Sequence, residues 1–328
     1  MFDITKPHYT NVDAAREYLE QIQWPHGPNC PHCGNVDPDR IKKLQGKSTR
    51  PGVYKCNECR KPFSVTVGTV FERSKVPLNK WVLATHLIAA SKKGLSAHQL
   101  HRMLGVTYKT AWFMMHRIRE AMKEDIASSG PVGGEGKTVE ADETYIGRTD
   151  ADYLSPQRKG RPRLKRKMKP KRTVIGLVER GGKVRTFHVK HATKGVVRDI
   201  LVRNVPRETN LMTDESRLYT KTGKEFASHD TVKHSAKEYV RYEDDKVVHS
   251  NTIENVFSVF KRGMIGVYQH CGEAHLHRYL AEFDFRYNRR TALKWSDTER
   301  SEDLLKNIRG KRLTYRRTNE SRYAQAVG

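Results

Sequence analysis

The chain has 328 residues, 36% hydrophobic and 9% aromatic, enough apolar material for two or three packed domains rather than a disordered polymer. Its 62 Lys and Arg against 37 Asp and Glu leave a formal charge of +25 and a pI near 9.9, which calls for a polyanionic partner, nucleic acid first of all. No run reaches the ~18 apolar residues of a membrane helix, and the N-terminus lacks the basic-then-apolar build of a secretory signal. A cytoplasmic, reducing location is therefore expected, and the five cysteines are read first as metal ligands.

In chain order, Ala15, Tyr18, Leu19 and Ile22 form one stripe of a short helix that stops at Trp24-Pro25. Cys30-Pro-His-Cys33 and, 22 residues later, Cys56-Asn-Glu-Cys59 are two pairs with the separation at which each supplies two thiolates to one tetrahedral Zn²⁺. Four protein ligands leave no open coordination position, so the ion is structural. Val53-Tyr-Lys55 and Phe63-Ser-Val-Thr-Val67 alternate like ribbon strands, and residues 1–75 are read as a helix plus zinc ribbon.

Pro77 opens a helix bearing Leu78, Trp81, Val82, Leu87 and Ile88, and Ser96-Ala-His-Gln99 has the pattern of a capping box for a second. After Leu104-Gly105 a third helix carries Tyr108, Ala111, Trp112, Met115, Ile118 and Met122 at the helical period. Helix, Gly-containing turn and helix give a helix-turn-helix over 76–127. Lys109, Thr110, His116, Arg117 and Arg119 are the outward candidates for DNA contacts.

Gly and Pro fill five of nine positions in Ser128–Gly136, which predicts a flexible linker over 128–137. Beyond it a strand around Lys137–Ile146 places Glu140, Asp142 and Thr144 on one face and Val139, Ala141, Glu143 and Tyr145 on the other. Strands at 172–178 and 184–189, a helix near 195–202 and a strand at 210–213 ending on Asp214 follow. That order, strand, hairpin, strand, helix, strand, is that of the ribonuclease H-like α/β fold, a mixed sheet with flanking helices, over 138–306. Within it a basic loop spans 148–172, with ten basic residues in fifteen from Arg158 to Arg172. Arg161, Arg163, Lys165, Arg166 and Lys167 are expected to contact phosphates without giving specificity.

Chemistry at a phosphodiester needs two divalent ions about 4 Å apart, and hard ions such as Mg²⁺ need carboxylates. Asp142 and Asp214 meet if their strands are neighbours. A third ligand is sought on the helix after Ser250, where Asn251, Glu254 and Lys261 share the polar side opposite Ile253, Val256, Phe257 and Phe260. Asn251 and Glu254 also have capping-box spacing, so Glu254 is released for a metal only if Ser250 is the cap. Tyr145 and Tyr219 are read as packing residues, and the basic segment 307–328 as a mobile tail.

At Val139-Glu-Ala-Asp142-Glu-Thr-Tyr-Ile-Gly147, Met212-Thr-Asp214-Glu, His249-Ser-Asn251-Thr-Ile-Glu254 through Lys261-Arg-Gly263, and His275 through Asn288, the chain resembles the DDE transposases of bacterial insertion sequences. The group resembled is the ISXO type, which carries an N-terminal zinc ribbon. The resemblance implies Asp142 and Asp214 as the first two catalytic acids, with Glu254 first and Asn251 second for the remaining place, and Mg²⁺ or Mn²⁺ as the catalytic ions. It implies water attack at the element's end, then attack of the freed 3′ hydroxyl on target DNA. The partners implied are double-stranded terminal inverted repeats, target DNA and further copies of the chain in a synaptic complex. A stand-alone metal-dependent nuclease shares the acids but not the transfer step, and a non-catalytic DNA-binding regulator leaves the α/β half unexplained.

Overall fold

The computed structural model describes residues 3–124, 126–148, 171–243 and 246–314, arranged as two compact units. In the first, α1 (Pro7–Thr10) leads through the Asn11 cap into α2 (Val12–Gln23), which buries Ala15 and Leu19 and stops at Trp24 as its sequence predicts. β1 (Ile41–Lys43), β2 (Tyr54–Cys56) and β3 (Pro62–Phe63) make a three-stranded antiparallel ribbon.

Three helices follow: α3 (Leu78–Ala90), α4 (Ala97–Leu104) and α5 (Tyr108–Ala121). Ser96 caps α4 by accepting from the Gln99 amide, so one half of the expected capping box is formed. Gly105 turns the chain at φ 59°, a conformation that costs a glycine little, and Thr107 caps α5 through the Thr110 amide.

The second unit begins with α6 (Ile126–Ser129) and is built on a five-stranded mixed sheet. In chain order its strands are β4 (Thr138–Arg148), β5 (Lys171–Glu179), β6 (Val184–Val189), then, after α7 (Lys194–Asn204), β7 (Asn210–Asp214) and β8 (Ser228–Val232). Their spatial order is β6-β5-β4-β7-β8, antiparallel from β6 to β4 and parallel from β4 to β8. A hairpin of β9 (Val240–Glu243) and β10 (Lys246–His249) leads into α8 (Asn251–Gly263), a π-helical turn at Met264–Tyr268 and α9 (Leu276–Asn288).

This is the ribonuclease H-like arrangement that the strand order predicts. The near-continuous apolar run of β5 fits a strand covered on both faces. On one face Val139, Ala141, Ile175 and Leu177 pack with Val197 and Leu201 of α7. On the other, Val174 and Val178 pack with Ile253, Phe257 and Phe260 of α8 and Leu280 and Phe283 of α9. The period of two in β4 is thus realised, with alternate residues meeting different helices.

Three expectations are corrected. The Gly-rich segment at 128–137 is docked, because Val132 is fully buried with its amide on Asn204 O, and Gly133 and Gly134 donate to Glu179 and the Thr209 hydroxyl. The final helix, α10 (Asp297–Lys306), opens with the complete capping box Ser296/Glu299. It packs with α3 in the first unit instead of ending the α/β unit. Residues 308–311, expected to begin a mobile tail, continue that packing. Ile308 is buried and accepts from the Val70 amide, Gly310 donates to Gly68 O, and Lys311 Nζ to Ala121 O.

Candidate active site and metal centre

In the first unit the two knuckles bring Cys30, Cys33, Cys56 and Cys59 together, with all four sulfurs within 4.8 Å of one another. Cys30–Cys59 and Cys33–Cys56 are each 3.7 Å apart, close to the ~3.8 Å edge of a tetrahedron with 2.3 Å Zn–S bonds. Gly34 (φ 79°) and Arg60 (φ 60°) stand directly after the second cysteine of each pair in the left-handed region that such knuckles require. Backbone amides of Cys59 and then Glu58 draw the Cys56 thiol down to about 7, against burial, and so favour the thiolate a metal needs. The four residues fit a structural zinc ion.

The helix-turn-helix exposes Lys109 and half-exposes Thr110 at the start of α5. His116, Arg117 and Arg119 do not point outward: their exposures are 1%, 6% and 2%. The Arg117 guanidinium lies over the Trp81 ring at 5.3 Å and donates to Glu72 O at 2.6 Å. In the C-terminal half of α5 Met115 to Arg119 are all buried, so His116, Arg117 and Arg119 are part of the interior. Arg161, Arg163, Lys165, Arg166 and Lys167 lie outside the described residues.

In the second unit β4 and β7 run parallel, with Ala141 opposite Thr213, so Asp142 and Asp214 stand one residue further on each strand, where β7 ends. Neighbouring strands are about 4.8 Å apart, which makes the two acids neighbours at the carboxyl end of β7, the usual location of sites in such sheets. Burial pushes the Asp142 carboxyl up to about 7. The charges of Asp214, Glu143 and Glu254 push the same way, against the Glu143 amide that donates to it at 2.7 Å. Asp142 therefore senses three other acids at once. Their oxygens are spread more widely than the four thiols, which are the only group of three or more such ligands within 4.8 Å among the described residues.

Glu254 lies exposed in the first turn of α8. Ser250 occupies the cap position and the Glu254 side chain makes no capping bond, so the condition for its release is met. Its Oε1 is 3.2 Å from His234 Nε2, which is also 3.2 Å from the Ser250 hydroxyl. Asn251 is exposed one turn earlier, its amide donating to His249 Nδ1 at 3.3 Å, and Lys261 is half-buried on the same helix. The two neighbours of the aspartates are otherwise engaged. Glu143 accepts from the buried Tyr219 hydroxyl at 2.8 Å, and Glu215 from the Ser235 hydroxyl at 2.7 Å. Tyr219 is the packing residue its sequence predicts, whereas Tyr145 is 49% exposed.

Sequence reasoning missed Gly176, His234 and Glu140. Gly176 sits opposite Asp142 in the β4/β5 register, and a Cβ there would meet Phe257 and Ile253 at 2.8–2.9 Å, so only glycine lets α8 close onto the sheet. Its signal was the single glycine inside an apolar strand. No local pattern marks His234.

The second unit is thus a ribonuclease H-like sheet with clustered acids at its centre, and the first carries a four-cysteine ribbon. Residues 132–288 match the ISXO2-like transposase domain, and residues 11–62 the transposase zinc-ribbon domain. Both matched domains are transposase domains, and the resemblance to the ISXO type with an N-terminal zinc ribbon holds over both. It is 28% identical, over 283 residues, to a protein of the transposable element ISH50 of Halobacterium salinarum, covering 83% of this chain and 89% of that one. Among solved structures it is similar to the Mos1 transposase paired-end complex with left transposon end, at 12% identity and TM-score 0.21, covering 62% of this chain and 78% of that one. A Mos1 mariner paired-end complex with Mn gives 10% identity, TM-score 0.20 and the same coverage. Among the described residues no helix is long and apolar enough to cross a membrane.

Proposed function

We propose that this transposase binds the terminal inverted repeats of its element, cleaves the strand at each end and joins the freed 3′ hydroxyl to target DNA. The observation that carries the reading is the meeting of Asp142 and Asp214 at the ends of parallel neighbouring strands, with Glu254 near enough to add to the charge at Asp142, whose carboxyl is raised to about 7 by burial first and by these acids second. Such repulsion is relieved by divalent cations, and these three carboxylates would hold Mg²⁺ or Mn²⁺. When bound, the ions activate the attacking oxygen and neutralise charge on the leaving one. Glu254 is preferred to Asn251 because its carboxylate is clear of the helix cap and adds to the charge at Asp142. A carboxylate also holds a hard cation better than an amide oxygen.

Lys109 and Thr110 present the start of α5 to DNA, and the basic loop strengthens binding along the backbone. Lys261, two turns after Glu254, meets DNA phosphate. Two ends must be joined together, so the working form is an assembly of at least two copies. Purified protein incubated with Mg²⁺, labelled terminal repeats and a plasmid target is expected to yield joined product. Cutting without joining would make it a nuclease, and binding alone a regulator.

A further inference from the structure

Glu140 lies two residues before Asp142 on the same face of β4 and has 0% exposure. A buried carboxylate of this kind needs partners for its lone pairs, and here every partner comes from the chain. Its Oε1 accepts from Arg180 Nε at 2.7 Å and the Thr252 hydroxyl at 2.8 Å, with His249 Nδ1 at 3.2 Å, while Oε2 accepts from the Ile253 amide at 2.9 Å.

Thr252 and Ile253 are in the first turn of α8, whose amides have no partner within the helix. The cap residue Ser250 makes no side-chain capping bond there. Glu140 takes over that duty from a neighbouring strand, and its negative charge suits the helix N-terminus. Arg180 extends the grip backwards, donating to Val247 O and His249 O at 2.8 Å each, so the end of β10 is tied to the same carboxylate. One ion pair thus joins the strand bearing Asp142 to the turn bearing Asn251 and Glu254. These partners also separate it from Asp142: of the two acids on this face, Glu140 has both oxygens bonded to donors of the chain itself, Oε1 to Arg180 and Thr252 and Oε2 to the Ile253 amide.

We propose that Glu140 is a positioning residue for the acidic site, a clamp that sets where the first turn of α8, and with it Glu254, stands relative to Asp142. The inference rests on the reading of Asp142, Asp214 and Glu254 as the ion-binding set. Its test reads Mn²⁺ binding to the full-length protein directly, by electron paramagnetic resonance, alongside joining of DNA ends.

In Glu140→Gln, Mn²⁺ affinity is expected to fall by about 10–100-fold, the range for residues that orient ligands, while zinc content and DNA-end binding stay at wild-type levels. Joining should recover in part as Mn²⁺ is raised. Thr252→Val removes one donor to the clamp without leaving a buried charge unpaired, and a weakening of about threefold is expected, below that outer-shell range. It decides the matter if Glu140→Gln fails to fold. Unchanged Mn²⁺ affinity in folded Glu140→Gln, or in Thr252→Val when the first variant is unfolded, overturns the clamp. Asp142→Asn separates the two levels: if it binds Mn²⁺ as wild type does, the ion-binding set itself is wrong.

Discussion

The two polar centres of this molecule are built in opposite ways. The four thiols come from two short knuckles of one ribbon between Cys30 and Cys59, and each pair is preformed by a tight turn. The acids come from two strands and a helix between Asp142 and Glu254 and meet only because the sheet is assembled. The ribbon has few other buried residues, Ile41 and Phe63 beside Cys30 and Cys56, so its metal is a large part of what folds it. The acidic site sits on a sheet with apolar clusters on both faces and works against the fold, since burying mutually repelling carboxylates costs stability.

Substitutions at the two centres should therefore diverge. The largest effect is expected for Asp142→Ala and Asp214→Ala, which should abolish joined product in a plasmid assay while DNA-end binding holds and the melting temperature does not fall. Joining by either variant would remove that residue from the site. Cys56→Ser should do the reverse, dropping zinc below one ion per chain by elemental analysis and opening the ribbon to protease, with the α/β unit left intact. At the third position, Glu254→Gln should cost joining more than the roughly 10–100-fold typical of outer-shell changes. Asn251→Ala should cost less, and the opposite ranking would reassign the place to Asn251.

The pH dependence sharpens the contrast further. With its folded pKa raised to about 7, Asp142 holds a proton that the unfolded chain, at an ordinary carboxylate value of 3.8, has released. Between those values the folded state binds more protons, so stability of the metal-free protein falls as pH rises. Asp142→Asn is expected to melt higher than wild type at pH 8 and equally at pH 4. The gain is at most about 4 kcal/mol, at roughly 1.4 kcal/mol per pH unit. A lower melting temperature at pH 8 would mean that the fold does not raise the Asp142 carboxyl. The smallest change is Gly176→Ala, whose Cβ presses on Phe257 and Ile253 and should cost about 1–3 kcal/mol, read by thermal denaturation.

Local chemistry was legible in the amino-acid sequence itself. Pair spacing determined the zinc ligands, because a knuckle is a property of a few consecutive residues. Alternation determined that Asp142 and Glu143 face opposite ways, because a strand has a period of two whatever it pairs with. The strand order determined the sheet, since β4 to β7 each carry a self-contained apolar pattern. Depth and partnership were not legible. His116, Arg117 and Arg119 read as an outward basic face, and only the packing of α5 on its neighbours shows them enclosed. The Gly and Pro content of 128–137 reads as a loose linker, yet Val132 is buried there with its amide held by Asn204 O. Glu140 and Asp142 share a face, a charge and a strand, and sequence alone offers no physical ground to separate them. The tertiary structure does so, by giving Glu140 three donors from distant segments and leaving Asp142 among like charges, because burial and charge are set by what the rest of the chain brings to that face.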